Sequence, residues 1–239
     1  MSNNPEQPEG QKSEAPDQPT ASLKNGKPQK TVLREYAEAL IIALALALLI
    51  RTFVIQAFKI PSGSMEPTLL IGDHLLVSKF SYSVHIPNEV PFISYQMFPD
   101  YHFFARVPER RDIVVFKFPL EPDKDFIKRV IGLPGETIQI IQQRVYINDQ
   151  LLKEPYANHS QPPSLDTGNR DNMPPVRIPE GHIFVMGDNR ENSSDSRVWG
   201  FLDLNNLRGK AQWIYWSWDS KDSGFWSVRT DRLGTSVYR

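Results

Sequence analysis

A mainly β domain carried on one N-terminal membrane-spanning helix is the fold class this sequence predicts, and three observations lead there. One long apolar segment lies near the N-terminus, and no helix-period pattern of comparable strength follows it. Seven short runs rich in β-branched and aromatic residues come after it. Turn-forming clusters (GLPGE, NDQ and the proline-rich stretch from Pro162 to Pro179) separate those runs.

In chain order, residues 1–31 are rich in Pro, Gln, Glu, Ser and Asn and nearly free of large apolar residues. Such a segment cannot bury enough surface to offset its ordering entropy and reads as a disordered cytoplasmic tail. Residues 32–58 read as a transmembrane helix. The uninterrupted apolar core, Ala39 to Ile50, is only twelve residues, but Ala37 to Phe58 is apolar except for Glu38, Arg51, Thr52 and Gln56. As a helix those 22 residues rise roughly 33 Å, enough for a hydrocarbon layer of about 30 Å, with Arg51 reaching back to the interface. More than thirty residues precede the segment, which argues against a cleavable signal peptide. Lys24, Lys27, Lys30 and Arg34 precede it, against Arg51 and Lys59 at its far end. The positive-inside bias therefore places the N-terminus in the cytoplasm and residues 59–239 outside. Within that portion the strands are expected at Leu75–Phe80, Asp112–Phe118, Asp125–Ile131, Thr137–Ile141, Arg144–Ile147, His182–Gly187 and Ala211–Trp218, with the fourth and fifth close enough to form a hairpin.

Composition narrows the function. The net charge is −1, so no general basic field points to nucleic acid. No cysteine is present, which excludes disulfides, thiolate metal sites and a cysteine nucleophile. The five histidines are scattered, without metal-ligand spacing. We expect neither a metal nor another cofactor.

Three stretches carry candidate chemistry. In IPSGSMEPTLLIGD, Ser64 lies six residues beyond Phe58, at most about 20 Å of extended chain from the apolar segment. A reactive group there would work beside the bilayer, although SGS and EPT are also good turn-formers. No histidine is an obvious base for it. The other option is a lysine whose pKa is lowered by desolvation, from about 10.4 to around 7–8, so it should lie inside an apolar strand. Lys117 in VVFKFP and Lys128 in DFIKRVIG both qualify, and spacing alone does not choose between them. In GDNRENSSDSRVWGF, a long polar run returns to Trp199 and Phe201, which favours a buried polar network over a solvated loop. It is not a calcium loop, because Arg190 stands where that pattern wants Asp or Asn.

Taken together, PSGSMEPTLLIGD with VSKF, then RRDIVVFKFP and DFIKRVIGLPGE, then GDNRENSSDSRVWGF resemble the successive motif boxes of bacterial type I signal (leader) peptidases. They occur in that family's order, directly after a membrane anchor, and the resemblance spans roughly residues 35–218. It implies an antiparallel, coiled β-sheet catalytic domain over residues 59–239, its core at about 59–218. It also implies an endopeptidase that removes signal peptides from exported precursors at the outer face of the cell membrane. By resemblance Ser64 is the nucleophile and Lys128 the general base, which makes Lys117 a structural lysine. Ser62 matches the serine that helps bind the oxyanion. Ser193 matches the residue that orients the lysine, Asp195 and Arg197 support it, and Arg129 follows the base. Phe58, Ile60, Met65, Leu69, Leu75, Phe126 and Ile127 match positions that line shallow apolar pockets for small side chains of an extended substrate. The partners implied are signal-peptide-bearing precursors and the lipid bilayer. Among departures, Glu191 stands where Asp is frequent and His74 where an aromatic or aliphatic residue is common. Two other readings stay open on the residues. A self-cleaving Ser/Lys repressor would need a DNA-binding head in place of the anchor, and an anchored binding domain would not need both Ser64 and Lys128.

Overall fold

A computed structural model describes residues 32–82, 106–162, 170–219 and 227–238, together with the backbone of four short strands between 84 and 103; Thr52 and Phe53 are likewise described by backbone alone. The expected tail, residues 1–31, lies outside the described residues, as do residues 86–88, 91–92, 97–101 and 104–105 of the aromatic stretch from His85 to Arg111.

The chain divides into two units, residues 1–43 and 44–239. Helix α1 runs Val32–Phe53, with Glu35 in its first turn and Arg51 in its last, the charge signs that complement a helix dipole. Arg34 pairs with Glu38 one turn on. Leu40, Ile41, Ile42, Leu44, Leu46 and Leu49 are all more than half exposed. Among the described residues no helix is long and apolar enough to cross a membrane. The helix also stops short of the expected Phe58. Residues Ile55–Lys59 form strand β1 and pair antiparallel with β2 (Asp73–Ser78), Phe58 opposite Leu75. Val54 and Ile55, at the junction, are β-branched, and such residues lose rotamer freedom in a helix and gain packing in a strand.

The rest is mainly antiparallel β. Strands β3 (Val84–His85) and β6 (His102–Phe103) pair, as do β4 (Glu89–Val90) and β5 (Ile93–Gln96). The main sheet continues with β7 (Ile113–Phe118), β8 (Glu121–Gly132), β13 (His182–Met186), β14 (Leu202–Asp203), β15 (Leu207–Ser217) and β16 (Thr235–Ser236). Its order is β1-β2-β15-β7-β8-β13-β14, and β16 pairs with β15. A second sheet, β11-β10-β9-β12, contains β9 (Thr137–Ile141), β10 (Arg144–Ile147), β11 (Gln150–Leu151) and β12 (Met173–Arg177). The expected hairpin is β9–β10. Gln142 and Gln143 turn it with φ of 47° and 67°, the mirror-image turn whose twist suits a two-residue hairpin.

Three apolar clusters fill the interior. The one beneath Ser64 contains Ile60, Met65, Leu69, Leu75, Val77, Ile113 and Val115, with Val237 from the C-terminal end. The second lies between β7, β8 and β13, with Phe118 stacked on Phe126 at 4.2 Å. The third joins β9 and β10 to β13.

Candidate active site

Ser64 sits in a single 3₁₀ turn, Gly63–Met65, entered from an extended Ser62 whose side chain makes no capping bond. The turn belongs to a loop, residues 60–73, closed at its base by backbone bonds from Ile60 N to Asp73 O and from Gly72 N to Ile60 O. The apolar side chains of this loop, Met65 and Leu69, are fully buried and point the other residues of the turn toward β8. Ser62 is exposed, whereas Ser64 is buried.

Lys128 reaches the same place from β8, where it lies opposite Val114 of β7. Its Nζ donates to Ser64 Oγ at 2.8 Å and to Ile127 O at 2.9 Å. It stands 5.4 Å from the Phe126 ring centroid and is 3% exposed. Burial pushes the ammonium pKa down, against the opposing attraction of Asp195 and Asp188, to about 8. The pair is therefore an amine far easier to deprotonate than an ordinary lysine, in contact with a hydroxyl. Lys117, the other candidate, lies near the far end of β7, opposite Asp125 rather than near Ser64.

The polar run after β13 holds this pair from behind. Asn189 N donates to Ser64 O and its Nδ2 to Gly63 O, both at 3.1 Å. Gly187 is needed because a Cβ there would come within 2.3 Å of Ser193 Oγ and 2.4 Å of Ser64 O. Arg129 grips Asp188 with two bonds, Nε to Oδ1 at 2.8 Å and Nη2 to Oδ2 at 2.6 Å, with both groups buried. Thr68 donates to the same carboxylate, and the Arg129 guanidinium lies 4.1 Å from the Tyr156 ring. The bidentate fork and the ring face together satisfy a charge that would be costly to bury alone. Asp195 accepts from Gly187 N and from Arg197 Nε and Nη2. Burial alone would raise the Asp195 carboxyl, and its pairing with Arg197 holds it below the usual carboxylate range.

Ser193 is buried in this group, but its hydroxyl does not bond Lys128. That hydroxyl is without a hydrogen-bond partner among the described residues, though its nearness to Asp195 helps hold that carboxyl down. Of the apolar positions singled out in the sequence, Ile60, Met65, Leu69 and Leu75 form one cluster with half-buried Phe58 and Ile127 packed against it. Phe126 belongs to the neighbouring cluster instead. Because Met65, Leu69 and Leu75 are fully buried, they support the surface offered by Phe58 and Ile127 rather than forming it.

Sequence reasoning missed Thr68, Asp188, Asn189 and the buried Arg190–Glu154 pair (2.5 Å). Asp188 and Asn189 were within sight, since the polar run already read as a buried network. Glu154 carried no local signal: it lies 36 residues from Arg190 in an unremarkable loop.

Residues 33–216 match the family model described as signal peptidase, peptidase S26. Signal peptidase I of Pseudomonas aeruginosa is 35% identical over 88% of this chain and 80% of its own length. The probable signal peptidase I-1 of Synechocystis is 41% identical over 75% and 80%. A solved signal peptidase I from Enterococcus faecalis is 36% identical, covering 43% of this chain and 95% of its own, with a TM-score of 0.36. A serine peptidase by descent, this chain belongs to the peptidase S26 family of bacterial type I signal peptidases.

Proposed function

We propose that the chain cleaves signal peptides from exported precursors, with Ser64 as nucleophile, Lys128 as general base and α1 as its lipid anchor. The observation that carries the reading is the buried 2.8 Å contact between Lys128 Nζ and Ser64 Oγ. With a pKa of about 8, roughly a tenth of Lys128 is neutral at pH 7. In that form the contact reverses, Ser64 donating to the nitrogen lone pair. Ser64 Oγ then attacks the carbonyl carbon of the scissile bond as its proton passes to Nζ. The Ser64 backbone N–H and the Ser62 hydroxyl, unused as a cap, bind the oxyanion; one such donor is often worth about 2.7–4 kcal/mol. Collapse expels the amine of the mature protein, protonated by Lys128, and leaves an acyl-enzyme. Lys128, neutral again, takes a proton from water as its oxygen attacks the acyl carbon; the bond to Ser64 Oγ then breaks, Lys128 returns the proton to Oγ, and the signal peptide leaves. Asp195, Arg197 and Ser193 shape the lysine's surroundings, and Arg129 fixes Asp188 next to it.

For the anchor, support comes from the apolar run of Ala39 to Ile50, exposed along α1, and from the charges that flank it, Arg34, Glu35 and Glu38 before it and Arg51 after it. Glu38 and Arg51 lie about 20 Å apart along the helix, so as a lipid anchor α1 would need both side chains to reach back toward the interfaces. The positive-inside bias puts residues 59–239 outside. Strand β1 begins two residues after the helix, which would hold Ser64 near the bilayer where a tethered signal peptide is presented.

The test is cleavage of a secretory precursor by detergent-solubilised protein. Wild type and Lys117→Ala are expected to cut, and Ser64→Ala and Lys128→Ala to be inactive. Activity in Ser64→Ala would remove the nucleophile assignment; activity in Lys128→Ala would remove the base.

A further inference from the structure

The family match ends at residue 216, yet the chain beyond it is bonded to the loop that carries Ser64. Val228 bridges to Trp218, Gly234 N donates to Ile214 O, and β16 adds to β15. Val237 is buried in the cluster of Ile60, Met65 and Leu69, and Tyr238 OH accepts from Ile113 N at 2.9 Å. Residues 227–238 thus form a strap fixed to the main sheet at both ends.

From the strap, two arginines reach the Ser64 loop. Arg229 Nη1 donates to Ile71 O at 3.1 Å. Arg232 Nη2 donates to Thr68 O at 2.9 Å and to Asp73 Oδ2 at 2.6 Å, and its Nε to Asp73 Oδ1 at 3.2 Å. Asp73 is fully buried and also accepts from Ser217 Oγ and from Leu70 N, so it closes the loop upon itself. Packing through Val237 holds Met65 and Leu69 of the loop, but it is incomplete at Pro67–Thr68. Between the strap and Pro67–Thr68 lies a cavity of about 260 Å³, lined by Ile214, Arg129, Tyr156 and Thr235–Tyr238 as well. Where close-packed side chains would normally fix a loop, this stretch is held by Arg232 across a gap.

Thr68 leads onward to the dyad. Its hydroxyl donates to Asp188 and accepts from Arg129 Nη2, and the next residue, Asn189, is bonded to both Gly63 O and Ser64 O. We propose that Arg232 of the C-terminal strap is a positioning residue, setting the distance from Ser64 Oγ to Lys128 through Thr68 O and Asp73. It touches neither substrate nor reacting atoms. A displacement of about 1 Å at such a site costs on the order of a hundredfold in rate.

This inference rests on the Ser64–Lys128 reading, which the alanine variants above test separately. It is tested by steady-state cleavage of a peptide spanning a signal-peptide cut site, far below each variant's melting temperature. Arg232→Gln is expected to lower kcat about ten- to a hundredfold, with KM nearly unchanged. Arg232→Lys keeps the charge on Asp73 but cannot also reach Thr68 O, so it should melt near wild type and give an intermediate kcat. Tyr238→Phe releases the strap elsewhere and should lower the melting temperature while leaving kcat alone. If Arg232→Gln does not fold, the Lys variant decides. Wild-type kcat in the Lys variant, or an equal loss of kcat in Tyr238→Phe, would overturn the proposal and leave the strap a general stabiliser.

Discussion

Replacing Lys128 by Met should abolish cleavage and make the protein more stable. Burial lowers the Lys128 pKa from an ordinary 10.5 to about 8; at 1.36 kcal/mol per pH unit, holding the ammonium in the folded state costs about 3 kcal/mol. Below pH 8 both folded and unfolded chains carry the proton, so the whole penalty is present. Between about 8 and 10.5 only the unfolded chain binds it, and wild-type stability rises with pH through that window. Met fills much the same volume without a charge, at the loss of two hydrogen bonds, to Ser64 Oγ and Ile127 O, each worth about 1 kcal/mol. The net gain is about 1–2 kcal/mol at pH 6–7. Urea denaturation of the detergent-solubilised protein at pH 6.5 and 9.5 measures it, and other titrating groups cancel in the difference between variants. The gain should be largest at pH 6.5 and shrink or reverse at 9.5. A Met variant less stable than wild type at pH 6.5, with the same difference at 9.5, would refute the claim that Lys128 is held against its hydration.

Other substitutions probe the support behind the pair. Gly187→Ala places a methyl against Ser193 and the Ser64 carbonyl and should cost about 1–3 kcal/mol by overpacking, with a marked loss of kcat in the peptide assay. Arg190→Met leaves the buried Glu154 carboxylate without its cation and should destabilise by about 3–5 kcal/mol, whereas Arg190→Met with Glu154→Leu should recover most of that; denaturation midpoints for the pair decide. Asn189→Ala removes the bond to Gly63 O and should lower kcat while costing about 1 kcal/mol of stability.

Much of this architecture was readable because the patterns behind it are local. The strands Thr137–Ile141 and Arg144–Ile147 occur where alternation and turn residues placed them, and the DFIKRVI strand lies within a longer β8. The helix end was misread because apolarity alone does not separate a continuing helix from an edge strand. Ile55–Lys59 becomes β1 through its partner β2, twenty residues on. The choice between Lys117 and Lys128 was likewise closed to spacing. Both sit in apolar strands, but only Lys128 comes to rest against the Ser64 turn, a result of how loop and sheet fold together. The C-terminal strap had no signal at all, since Arg232 and Asp73 are 159 residues apart.

The most direct test of the Ser64–Lys128 reading is the pH dependence of kcat/KM for precursor cleavage by the wild-type protein. A neutral Lys128 with a pKa of about 8 predicts a rate that climbs about tenfold per pH unit below that value and then levels off. A flat profile from pH 6 to 9, or an acid limb near 6.5 as for an unperturbed histidine base, would contradict it.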